Sequence, residues 1–78
     1  MSELSRLKLR CRRGMKELDV IFQHYLKHHY PNASLTERQY LNELLDLQDP
    51  VLFNWVLGID TAPAEYQDLL TKLRHAHD

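Results

Sequence analysis

Apolar residues recur along this chain at helical intervals, and no stretch alternates as a strand would. Leu4, Leu7 and Cys11 fall on one side of a first amphipathic segment, while Arg6, Arg10 and Arg13 fall on another. The segment is expected to end near Arg12, because Gly14 can adopt the left-handed conformation that closes a helix. Leu18, Ile21, Phe22, Tyr25 and Leu26 then form one continuous stripe at i, i+3, i+4, i+7 and i+8. This second helix should stop around HHYPN, where Pro31 disfavours helix at Tyr30. Ser34 and Glu37 form a capping-box pattern opening a third helix, which carries Tyr40, Leu41, Leu44 and Leu45 inward. Asp49 is suited to cap a fourth helix and Pro50 to its first position.

The fourth segment, PVLFNWVLG, has one polar side chain, Asn54, within its apolar run. A helix apolar all round belongs in the middle of a bundle, and Gly58 can close it. Thr61 is placed to cap a fifth helix, with Pro63 in its first turn and Tyr66, Leu69, Leu70 and Leu73 facing inward. The tail RHAHD is expected to fray. The expected fold is all-α: a compact bundle of five short helices spanning residues 1–78 as a single domain, with Phe53, Val56 and Leu57 near its centre.

Composition narrows the reading. With 44% apolar residues and only two glycines, the chain is not a disordered sequence. A folded chain of this length still hides only ~60% of the surface its unfolded form exposes, so the core must be thin. A lone cysteine, Cys11, excludes an internal disulfide and points to a reducing compartment. No apolar run approaches the ~20 residues a membrane span requires, and the charged N-terminus lacks the apolar middle of a signal peptide. MSELSRLKLR has the Arg-rich, amphipathic character of a transit peptide, but it runs straight into the folded pattern and is read as structure. A cytoplasmic setting is expected.

The net charge of −1 conceals a division. Six of the ten Lys and Arg residues lie between Arg6 and Lys16, whereas Glu37 to Asp68 holds seven acids and one base, Arg38. Such asymmetry bears on partner choice rather than on fold.

Candidate chemistry is sparse. His24 and His28 have the i, i+4 spacing of two metal ligands on one helix face, but no HExxH motif or Cys pair completes a site, and a solvated surface is the simpler expectation. Basic neighbours can lower the pKa of Cys11, yet its spacing from Leu4 and Leu7 puts it on the buried side. No Ser-His-Asp arrangement, phosphate loop or dinucleotide fingerprint is present. Helices three and four could be read as helix-turn-helix, but the second is almost wholly apolar and cannot read base edges.

One stretch stands out: RRGMKELD, residues 12–19. Gly14 as N-cap and Glu17 as N3 would account for their own spacing. Arg13 is harder to explain, since a cation at the start of a helix opposes its dipole. Folding gains nothing obvious from five Arg or Lys in the eight residues Arg6 to Arg13. Arg grips carboxylates and phosphates in bidentate fashion, so the surplus suggests a docking surface.

These residues carry a resemblance. Arg13-Gly14-x-x-Glu17 is similar to the RGxxE signature of the SdhE family of succinate dehydrogenase assembly factors. DPVLFNWVLG, residues 49–58, resembles that family's second recurrent stretch, DPxLFxW, and the separation and overall length also agree. The resemblance implies a five-helix protein, not itself an enzyme, that binds the immature flavoprotein subunit of succinate dehydrogenase, and often that of fumarate reductase. It would promote covalent attachment of FAD to a histidine of that partner, holding no flavin stably itself. The implied partner-binding residues are Arg13, Gly14 and Glu17, with Arg6 on the preceding helix. The family's C-terminal extension is short or absent here, and the lack of the long leader of eukaryotic members implies a bacterial cytoplasmic protein. A monomer when free, with no nucleic acid and no membrane insertion, is expected. Two other readings stand beside this one: an antitoxin-like regulator of a different protein and, ranked lower for want of a phosphate-cradling loop, direct flavin carriage.

Overall fold

The computed structural model describes the backbone of residues 3–77 and the side chains of residues 4–75. Five α-helices follow one another: α1 (Glu3–Arg10), α2 (Lys16–His28), α3 (Leu35–Leu45), α4 (Asp49–Leu57) and α5 (Gln67–His77). Single 3-10 turns occupy Tyr30–Asn32 and Ala64–Tyr66, and there is no strand among the described residues. The radius of gyration is 11.4 Å, close to the ~11.5 Å expected of a compact chain of this length.

The second helix is the spine. Its stripe, Leu18, Ile21, Phe22, Tyr25 and Leu26, is buried throughout, and its most extensive interface is with Leu69, Leu70 and Leu73 on α5. Leu7 and Cys11, Leu41, Leu44 and Leu45, and Leu52 and Val56 join them in one contiguous core. Burying side chains of this size contributes roughly 1.5–3 kcal/mol each. The period-3.6 stripe thus decides which helix lies in the middle.

The fourth helix does not take that place. Only Leu52 and Val56 are buried on it, while Phe53, Trp55 and Leu57 are half-buried and Val51 is exposed. In so small a bundle the interior cannot accommodate every apolar side chain, and the longer α2 occupies it. The outer side of α4 is instead covered by aromatics, with Trp55 stacked on Tyr66 at 5.9 Å between ring centroids. The centre is therefore Leu52 and Val56 with the α2 stripe, not Phe53 and Leu57.

Several helix ends differ from the sequence expectation. Ser34 Oγ accepts the Glu37 N–H at 3.1 Å, one half of the capping box. The other half does not form, because the Glu37 carboxylate points inward, accepting from Tyr25 Oη and Lys72 Nζ, each at 2.5 Å. The cap of α4 is Gln48, so Asp49 is already helical and its side chain is engaged elsewhere. Gly58 does close α4, with φ of 78°, and Arg74 adds a second closure by donating to the carbonyls of Trp55 and Val56 at 3.1 and 2.8 Å. The extended ψ of Pro63, 146°, keeps it outside a helix, so Thr61 caps nothing and α5 begins only at Gln67. That helix runs to His77 with Arg74 anchored, so fraying does not begin at Arg74; Asp78 lies outside the described residues.

Candidate partner-binding site

Residues 11–15 join α1 to α2, and their conformation follows from three devices. Gly14 sits at φ of +81°, where a side chain is strained although nothing lies within 4 Å of its missing Cβ. Met15, in extended conformation, is the N-cap of α2. Asp19, one turn into the helix, accepts the Arg13 N–H at 2.8 Å and ties the loop back to it. Gly14 is therefore not the cap, and Glu17 is the second helical residue rather than the third. Glu17 is exposed, at the positive end of the α2 dipole, and its side chain makes no hydrogen bond to the described residues.

Arg13 has a structural task that its position in the sequence conceals. Its Nη1 donates to the Leu45 carbonyl at 2.7 Å, its Nη2 to the Leu47 carbonyl, and its Nε to the Asp49 carboxylate. The side chain is only 13% exposed. A guanidinium with five donors in a fixed fork can satisfy two carbonyls at the end of α3 and a carboxylate at the start of α4 together. The carbonyl end of α3 also carries partial negative charge, so the cation is favoured there. Arg13 thereby clamps the α3–α4 corner to the α1–α2 loop. The two stretches that carried the family resemblance meet at this ion pair, Arg13 from one and Asp49 from the other.

Arg10 has a similar task. It donates to Asn42 Oδ1 and Asp46 Oδ1, both at 2.6 Å, and holds α1 against α3. Two of the six clustered cations, Arg10 and Arg13, thus serve the fold. Arg6, Lys8, Arg12 and Lys16 remain exposed, without an ion pair to a described residue. Arg6 stands on α1 one turn before Arg10, with no bond to the loop. Of the four expected site residues, the structure brings Arg13, Gly14 and Glu17 together around one loop, turns Arg13 inward and leaves Arg6 apart.

The remaining candidates fall out. Cys11 is 2% exposed, and burial pushes its thiol up to about 11, against the pull of Arg10 and Arg13, so no thiolate is available near neutrality. His24 and His28 are exposed and their rings lie 4.4 Å apart, but no group of three metal-ligating side chains occurs among the described residues. No helix among them is long and apolar enough to cross a membrane.

A small helical bundle that holds an exposed loop edge with an internal clamp has the form of a protein-binding module. The chain belongs to the SdhE family: the family model described as flavinator of succinate dehydrogenase matches residues 5–77. Among curated relatives, the FAD assembly factor SdhE of Xylella fastidiosa (strain 9a5c) is 38% identical over 74 residues, 94% of this chain and 76% of the relative. That of Acinetobacter baylyi is 39% identical over 67 residues, covering 85% and 79%. That of Coxiella burnetii is 30% identical over 70 residues, covering 88% and 85%. No solved structure gives a significant match.

Proposed function

We propose that this chain, acting as a single domain and as a monomer when free, binds the flavoprotein subunit of succinate dehydrogenase and promotes covalent attachment of FAD to it. The exposed edge from Gly14 to Glu17 makes the contact, with Arg6 at its rim. Arg13 contributes by holding that edge in place, its own donors being used inside the bundle. The observation that carries the reading is this pairing of an exposed, unpartnered Glu17 with a loop fixed from beneath by the Arg13–Asp49 clamp. The flavoprotein subunit of fumarate reductase is a second partner of the same kind. A cytoplasmic setting is part of this reading, in keeping with the lone, unpaired Cys11.

Catalytic groups are not required for this role. A surface that binds the conformation in which flavin and acceptor histidine are aligned more tightly than the others raises its population. Shifting that balance from 1:99 to 99:1 requires about 5.5 kcal/mol of differential affinity, within reach of a few desolvated charge-assisted contacts. Gly14 suits the role because a backbone without Cβ lets the partner approach closely.

The test is reconstitution. Purified flavoprotein subunit lacking flavin is incubated with FAD, with and without this chain, and the flavin that stays on the denatured subunit is read by in-gel fluorescence. The expected result is at least a tenfold rise with the chain present. Equal fluorescence in both reactions would contradict the proposal.

A further inference from the structure

A groove of about 600 Å³ opens between α1, α2 and the 3-10 turn that follows α2, lined by Leu4, Lys8, Cys11, Arg12, Gln23, Leu26, Lys27 and Pro31. Its size lies within the roughly 300–1,000 Å³ typical of binding clefts. One wall is Leu4 and Lys8, a helical turn apart on α1, continued by Cys11 and Arg12 in the loop that follows; the other is Gln23, Leu26 and Lys27, at i, i+3 and i+4 on α2. Apolar Leu4, Cys11, Leu26 and Pro31 alternate with three cations that are all exposed: Lys8 and Arg12 from one wall, Lys27 from the other.

None of these three cations is paired with a carboxylate among the described residues. Arg10 and Arg13, interspersed with Lys8 and Arg12, both are. Within the basic cluster, Arg10 and Arg13 therefore hold the bundle together, whereas Lys8 and Arg12 face an apolar cleft that Lys27 borders from the other side. Unpaired charge of one sign around an apolar depression is complementary to a segment that buries a large apolar side chain and flanks it with carboxylates.

We infer that this groove is a second docking site, taking an acidic, apolar-anchored segment of the flavoprotein subunit. The inference rests on the reading given under Proposed function and adds to it a surface outside the Gly14–Glu17 edge. Lys8, Arg12 and Lys27 attract the segment and orient it. Leu4 and Leu26 receive its apolar anchor. The groove adjoins the α1–α2 loop through Arg12, so one partner can engage both surfaces at once and gain from the linkage.

The test measures binding of purified flavoprotein subunit to three forms of the full chain at two salt concentrations. They are wild type, the double variant Lys8→Gln with Lys27→Gln, and a control, Thr36→Glu with Gln39→Glu on exposed α3 positions. Both variants change the net charge by the same amount, so a general charge effect moves them equally. The groove variant is expected to bind at least tenfold more weakly with a shallower salt dependence, and the control within twofold of wild type. Equal affinities for the two variants overturn the inference. In a second measurement, p-benzoylphenylalanine in place of Gln23 is photolysed in the complex and the captured peptide is identified by mass spectrometry. An acidic flavoprotein segment with a central apolar residue supports the inference. Capture of another copy of this chain, or no capture from an intact complex, overturns it. Failure of the wild-type chain to bind the flavoprotein subunit would overturn the parent reading and this one with it, whereas normal wild-type binding with an unaffected groove variant removes the groove alone.

Discussion

Arg13 shows how a single residue can be misjudged from its neighbours in sequence. A cation just ahead of a helix appears unfavourable, yet its guanidinium reaches across 36 positions to Asp49 and satisfies two carbonyls at the end of α3. Replacing it by Ala would strand the partly buried Asp49 carboxylate and those carbonyls. The expected cost is about 2–4 kcal/mol, part of it relieved by solvent at Asp49. Arg13→Lys keeps the charge but not the fork, so it should recover only part of the loss. Urea unfolding followed by circular dichroism gives these values directly. A stability unchanged in Arg13→Ala would remove the clamp.

At the scale of elements, the sequence pattern was a good guide to which segments are helical and a poor one to how they end and assemble. The α2 stripe and the closure at Gly58 were legible because period and left-handed glycine are local properties. The displaced cap of α2 was not, because it depends on the loop fold that Gly14 and Asp19 set; nor were the half-made capping box and the outward position of α4, which depend on other helices. Glu37 illustrates the point. It lies at the start of α3 but bonds Tyr25 of α2 and Lys72 of α5, so one carboxylate joins three helices. Burial works against its charge, yet the hydrogen bonds from Lys72 and Tyr25 prevail and hold its pKa below the ordinary 4.5. A carboxylate with a lowered folded-state pKa contributes stability that is present above the ordinary value and lost as pH falls through the folded one. Thermal melts should therefore show stability declining below about pH 4.5. Tyr25→Phe should cost about 1.5–3 kcal/mol at neutral pH and flatten the decline. A decline as steep in Tyr25→Phe as in the wild type would exclude Glu37 as its source.

For the whole molecule, the two stretches that carried the family resemblance have different duties in the proposed account. Asp49 and the α4 helix it begins belong to the support; Gly14 and Glu17 belong to what is supported. The motifs were visible in the sequence, but their meeting was not, because no local pattern connects position 13 to position 49. The division makes fold and function separable by mutation. Glu17 is exposed and gives its helix only the dipole interaction of an acid in the first turn, ~0.3–1 kcal/mol. Gly14→Ala adds strain at φ of +81° but no clash, about 1 kcal/mol. Both variants should remain folded, unlike Arg13→Ala, in which weaker folding and weaker docking cannot be told apart.

Glu17→Ala therefore tests the central claim most directly. The variant replaces the wild-type chain in reconstitution with the flavoprotein subunit and FAD, its folding verified by a thermal melt, and covalent flavin on the denatured subunit is measured by fluorescence. A melt within a few degrees of wild type combined with at least a tenfold fall in covalent flavin is the predicted result. Wild-type flavinylation by the folded variant would contradict it.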